Sequence, residues 1–196
     1  VGAPRTPRER WVEEGLQVLA GSGPDAVRVE ALAKRIGVTK GGFYGYFADR
    51  DALLAAMLDT WEREATDQVI DRVRHDEHGD PRTLITLAGM LTFSGDRLRP
   101  IDLAVRDWAR RDEDVAARLR RVDNRRMELL REMIGAFCPD PDEVEARSLI
   151  AFCVAIGHHF LAADHPGRTR AEVLARAGDL ILDRPAEPKS RGPEDV

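Results

Sequence analysis

Between Thr39 and Tyr46 the chain sets out a short run of residues suited to one kind of chemistry. Thr39, Tyr44 and Tyr46 carry hydroxyls, Lys40 is a cation, and Gly41, Gly42 and Gly45 carry no bulk. No acid–base pair and no metal-ligand spacing is present in the run. It suits a surface that presses close to a phosphate backbone, with hydroxyls and a cation left to reach base edges. Arg28 and Arg50 stand on either side. A guanidinium at Arg28 could reach a phosphate or simply be exposed. Arg50 follows Asp49, which can cap a helix, so amides and a cation could together hold a phosphate there. An ordinary salt-bridged arginine is the alternative.

Other chemistry is weaker. His158, His159, Asp164 and His165 crowd one span, but it crosses a helix end, and no thiolate or paired carboxylate sits at ligand spacing. No metal and no cofactor is expected. There is no Gly-x-Ser-x-Gly, no phosphate loop and no Gly-x-Gly-x-x-Gly after a strand, so an enzyme is not expected. Met90, Phe93, Trp108, Met133, Phe152 and Phe160 are large, adaptable side chains spread over the second part of the chain. Together they could line a mostly apolar chamber for a small effector, with His158, Arg106 or Asp107 as its polar anchor. Each alone is more often a core residue than a ligand wall.

The elements that must hold these residues all read as helices. Val29, Leu32, Ala33 and Ile36 form one apolar face, and Gly37 permits the positive φ of a sharp stop. Val38 plugs the angle, Thr39 sits where an N-cap belongs, and Phe43 and Phe47 point inward from a second short helix. This is a helix-turn-helix pattern, its second helix the one to enter a major groove. Before it, Thr6-Pro7-Arg8-Glu9 reads as a capping box opening a helix that carries Val12, Leu16 and Leu19. After it, one long helix is expected from Ala52 past Val73, then helices opening near Pro81, Pro100, Asp112, Glu143 and Thr169. The helix over 143–163 is apolar all round, as if buried on two sides. The expected fold is all-α: a three-helix helix-turn-helix domain over 1–50, a larger helical domain over 51–185, and a disordered tail over 186–196.

Charge agrees with one-ended contact. The 196 residues carry a net charge of −5, yet residues 1–47 hold seven Lys/Arg against five Asp/Glu, a net +2 that leaves −7 for the rest. No apolar run approaches the ~20 residues of a membrane span. VGAPRTPRER has no apolar region of the signal-peptide kind. Two cysteines, Cys138 and Cys153, fit a reducing cytoplasm.

The run GVTKGGFYGYFADRDALLAAML resembles the signature of TetR-type transcriptional regulators. The resemblance covers roughly the first third of the chain at motif quality. It implies a homodimer on double-stranded DNA, usually a repressor, whose body binds a small-molecule effector. It implies DNA binding for the domain over 1–50, and effector binding and dimerisation for the domain over 51–185. It also implies that the last two helices form a four-helix dimer seam. By the same resemblance Tyr44 and Arg50 bind phosphates, while Thr39, Lys40 and Tyr46 meet bases. Arg28, Gly42 and Gly45 depart from the family pattern, which has a hydroxyl cap at the first and larger residues at the other two. A constitutive DNA binder without effector, or a ligand- or metal-binding helical protein whose head no longer reads DNA, are the alternatives.

Overall fold

The computed structural model describes residues 7–75, 79–93 and 95–183, the side chains of Thr92 and Phe93 excepted. Thr6, the tail over 186–196 and the Phe93 side chain therefore lie outside the described residues. Among the described residues the chain is helical throughout, with no strand. The α-helices are α1 (Arg8–Ser22), α2 (Val29–Ile36), α3 (Arg50–Ala65), α4 (Asp67–Arg74), α5 (Pro81–Phe93), α6 (Leu98–Ala109), α7 (Glu113–Gly135), α8 (Pro141–Gly157) and α9 (Arg170–Leu182). Two 3-10 helices, Pro24–Ala26 and Lys40–Gly45, flank α2.

Packing divides the chain into two units, neither ending at residue 50. The first comprises Val1–His78 and Thr86–Arg126, the second Gly79–Ile85 and Met127–Val196. The first unit joins the helix-turn-helix region to α3 and α6 because α1 packs against both. Trp11, Leu16, Leu19, Leu32, Phe43, Leu53, Met57, Trp61, Ile101 and Val105 are buried in one continuous core. Trp11 meets Phe43 edge-on with ring centroids 5.3 Å apart, and Phe47 stacks on Phe43 at 5.2 Å. These contacts hold the run after Gly37 against α1.

The long helix expected from Ala52 is broken. Thr66, at φ −124° and ψ −75°, separates α3 from α4. Its buried hydroxyl donates to the Glu62 carbonyl at 2.6 Å, a local bond that competes with the helical ladder. Ala65, Val69 and Val73 stay buried across the break, so the apolar period runs straight through it.

The second unit holds α8 and α9 together by arginine–backbone bonds. Arg147 donates to the carbonyls of Ile181 and Asp183 at the end of α9. Arg170 donates to His158 and Leu161 at 2.7 Å and to Ala163 at 3.0 Å. These bonds stabilise a turn in place of the continuous helix expected to residue 163; α8 ends at Gly157. Thr169 and Glu172 form a reciprocal capping box on α9. In α8 only Ser148 is buried, and in α9 nothing is.

Candidate nucleic-acid interface

Two of the local expectations are met in detail. Gly37 closes α2 at φ 79°, ψ 33°, and its amide bonds Ala33 and Lys34 carbonyls. Such a backbone strains any residue with a Cβ. Phe43 and Phe47 are buried. The segment between Thr39 and Tyr46 differs from the expected helix. Lys40–Gly45 is a six-residue 3-10 helix, and the Thr39 hydroxyl makes no capping bond. The cause is visible in its sequence, since three of six residues are glycine and each weakens an α-helix by up to ~1 kcal/mol relative to alanine.

Gly41 and Gly42 are not required by packing within the chain. A Cβ built at Gly42 meets nothing within 4 Å, and one at Gly41 meets only the Thr39 hydroxyl at 3.9 Å. Thr39, Lys40, Gly41, Gly42 and Tyr44 all lie exposed on one short stretch, Tyr44 at 53%. Tyr46 is instead half-buried and packs against the core, so it offers less to a partner than expected.

Lys40 is paired with Glu30 of α2, a partner not expected from the sequence. The ammonium also lies 5.9 Å from the centre of the Tyr44 ring. The ion pair raises the Lys40 ammonium above its ordinary range and holds the Glu30 carboxyl below the usual one. Nothing in the spacing of Glu30 and Lys40 along the chain announces the pair, because the turn at Gly37 creates it.

Arg28 occupies the N-cap of α2 with no side-chain cap, as its type dictates. It is exposed, and its Nε donates to the Asp25 carbonyl at 3.3 Å. Arg50 makes bonds within the chain that its spacing did not announce. Its Nε donates to Val27 O at 2.7 Å and a terminal nitrogen to Pro24 O at 2.6 Å, with Asp51 at 3.8 Å. It clamps the loop before α2 to the start of α3. Asp49 caps α3 by accepting from the Ala52 amide at 2.8 Å.

The residues named for an effector chamber are distributed over the two units. Trp108 is buried and its indole donates to Asp112 at 3.2 Å. Met90 is 52% and Phe160 66% exposed. Met133 is buried, while Phe152 and His158 are half-buried, the latter with Nδ1 2.9 Å from Val154 O. Met90 and Trp108 belong to the first unit and the other four to the second. None of them lines any of the three surface clefts described. Helical spacing gave their types but not their facing directions. Of the expected anchors, Arg106 is bound to Asp102 and Asp123, and Asp107 pairs with Arg111 on the surface. Among the described residues no group of three or more His, Cys, Asp or Glu is placed to hold a metal ion.

A buried polar network was also not foreseen. Asp102 of α6 is fully buried and accepts from Trp61 Nε1 at 3.2 Å, Arg106 at 2.9 Å and Arg126 at 2.9 Å. Arg126 reaches on to the Ala65 carbonyl at 3.2 Å, and Arg106 grips Asp123 with two bonds of 2.9 and 2.7 Å. Burial alone would push the Asp102 carboxyl up, but the Arg126 and Arg106 guanidiniums outweigh it and hold it below its ordinary value. The i,i+4 spacing of Asp102 and Arg106 is the one hint of this in the sequence.

Residues 12–57 match the family model described as "Bacterial regulatory proteins, tetR family". The uncharacterized HTH-type transcriptional regulator YvdT of Bacillus subtilis (strain 168) is 28% identical over 69 residues, a match covering 35% of this chain and 36% of that protein. The fold is that of a transcriptional regulator from Rhodococcus sp. Rha1, with a TM-score of 0.68 at 23% identity, covering 90% of this chain and 94% of the other. A putative transcriptional regulator from Saccharomonospora viridis, solved in complex with choline, aligns with a TM-score of 0.73 at 14% identity, covering 90% and 95%. These relatives are regulators rather than enzymes. The matched residues take in the Gly37 turn, the aromatic run after it and the start of α3, so this amino-terminal stretch is similar to the DNA-binding region of the bacterial tetR regulatory proteins.

Proposed function

We propose that this protein is a homodimeric, cytoplasmic DNA-binding regulator, acting as a repressor that a small, mostly apolar effector releases from its operator. The observation that carries the reading is the exposed run Thr39–Tyr44, set beyond the Gly37 turn on a buried aromatic base and shaped by glycines that packing does not demand. A surface without side chains lets a phosphate backbone come close. Tyr44 and Lys40 are the main contacts, with Thr39 at base edges and Arg28 as a further cation. Arg50 acts chiefly by fixing the loop before α2, its exposed edge left for a phosphate.

The dimer reading draws on α8 and α9. Leu149, Ile150, Phe160, Leu161 and Leu180 are all at least half exposed on this pair and its connection. Large apolar side chains gathered on one helix pair favour association, and a second copy of the chain is the occupant that the family fold suggests. Two heads then meet a near-palindrome with half-sites spaced by whole turns, roughly 10 bp or a multiple. An effector shifts the population of subunit arrangements, and so the separation of the heads.

The test is operator binding by Lys40→Ala with Tyr44→Ala. The double variant should lose binding to a duplex selected from a random pool while remaining folded and dimeric. Unchanged binding would show that the contacts lie elsewhere. The 3-10 form of the reading segment favours a second reading, a helical ligand-binding protein whose head does not read DNA. Duplex affinity that falls steeply with salt would reject it.

A further inference from the structure

An open groove of about 380 Å³ lies between α6 and α7 of the first unit, and DNA contact makes no use of it. Ala109, Ala116 and Leu119 form its apolar part, and Arg110, Arg120 and Asn124 its polar edge. Arg106 and Asp123 also line it, already bound to each other. Arg110 and Arg120 differ from the neighbouring arginines. Arg118, Arg121 and Arg125 of α7 each face an acidic partner, at Asp59, Glu62 and Asp67. Arg110, Arg120 and Asn124 are exposed, and among the described residues neither guanidinium has a hydrogen-bond or ion-pair partner. Two such cations therefore stand at the edge of one groove, free to meet an anion from solvent.

We propose that this groove binds a small organic oxyanion, a carboxylate or a phosphate monoester. Its head lies between Arg110 and Arg120, with the Asn124 amide as a further donor. Its short apolar body rests on Ala109, Ala116 and Leu119. Guanidiniums suit this work because their planar forks match carboxylate and phosphate oxygens two at a time. The volume lies at the lower end of the ~300–1,000 Å³ of small-molecule sites, which selects a compact ligand.

The groove is also wired to the lever of the head. Arg106 and Asp123 connect through Asp102 to the Trp61 indole in α3, and Arg126 connects Asp102 to the Ala65 carbonyl at the end of the same helix. An anion drawing on Arg106 would compete with Asp102 and Asp123, so occupancy and the setting of α3 are linked. That linkage rests on the regulator reading; the binding itself does not.

The experiment is calorimetric titration of the full chain with hexanoate, hexyl phosphate and neutral hexanamide at matched ionic strength. At least one of the two anions should bind at millimolar or lower concentration, and hexanamide roughly tenfold more weakly or worse. Arg110→Ala with Arg120→Ala should reduce anion binding by about tenfold or more, while the ligand-free melting midpoint stays within about 2 °C, since neither guanidinium has a partner to lose. Arg110→Lys with Arg120→Lys should keep part of the binding, because charge survives and the fork does not. Binding of hexanamide equal to that of the anions, an unchanged affinity in the alanine variant, or no binding of either anion would overturn the site. DNA binding is measured separately, so a head that fails to read DNA leaves this result standing.

Discussion

Glu30 places a carboxylate beside the one lysine of the reading run. In the free protein the pair satisfies both charges; against a duplex the same carboxylate faces phosphates and competes with them for Lys40. Glu30→Gln should therefore tighten duplex binding several-fold and steepen the salt dependence by about one ion, read as the slope of log affinity against log salt. A weaker complex would mean that Glu30 positions Lys40 rather than restrains it. At Asp102 the consequence is stability. Removing its charge leaves Arg126 and Arg106 without their buried anion, so Asp102→Asn should cost about 3–5 kcal/mol in denaturant unfolding at neutral pH. Because the folded-state carboxyl titrates below its unfolded value of about 3.9, its contribution is full above that pH and is lost as pH falls through the lower folded value. Wild type should lose stability below about pH 4 more steeply than Asp102→Asn does. Neither feature is readable from spacing, because Glu30 meets Lys40 only across the Gly37 turn and Asp102 meets Arg126 only after α6 and α7 have packed.

Among the elements, α3 is held on two kinds of surface. Its apolar face is buried against α1 and α6, while its acidic face meets the arginines of α7. Arg118 reaches Asp59 and Glu62, and Arg121 grips Glu62 with bonds of 3.1 and 3.2 Å. Arg125 extends the ladder to Asp67 at 2.9 Å on α4. Glu62 is shared by two arginines, so Glu62→Gln should cost about 0.5–1 kcal/mol at low salt and less at high salt. A loss unaffected by salt would assign the effect to packing instead. The elements themselves were largely legible in the sequence. Val29, Leu32, Ala33 and Ile36 marked α2, Gly37 marked its end, and the Phe43–Phe47 pair marked the inward side of the run beyond that turn. The break at Thr66 was not, since Ala65, Val69 and Val73 keep one apolar period through it. The 3-10 form of Lys40–Gly45 was half legible: its glycines showed weakness but not the tighter winding.

At the scale of the whole molecule, the second unit carries the proposed dimer surface. α8 buries Ser148 and nothing else, and Leu149, Ile150 and Leu180 are left at 54%, 50% and 62% exposure. Burying a leucine or isoleucine contributes ~1.5–3 kcal/mol, and this is the gain that the proposed pairing through the two helices would draw on. Ile150→Asp with Leu180→Asp should give monomers at micromolar concentration in analytical ultracentrifugation, where wild type sediments as a dimer. A wild-type monomer would remove the basis for two-headed binding. The apolar all-round reading of α8 was available from sequence, whereas the facing directions of the large side chains named for an effector chamber were not. Residue type alone did not separate Trp108, turned inward, from Phe160, turned out. The groove at Arg110 and Arg120 was likewise hidden among many arginines, because only the folded chain shows which of them have partners.

The central claim is that two copies of the exposed Thr39–Tyr44 run seize one duplex through its phosphates. The direct measurement is a titration of selected duplex with wild-type protein, by fluorescence anisotropy at several salt concentrations. The expected result is two chains per duplex, with an affinity whose logarithm falls linearly with log salt by about 0.9 for each phosphate neutralised, a slope made shallower in Lys40→Ala. A single chain per duplex, or an affinity indifferent to salt and to Lys40, would contradict it.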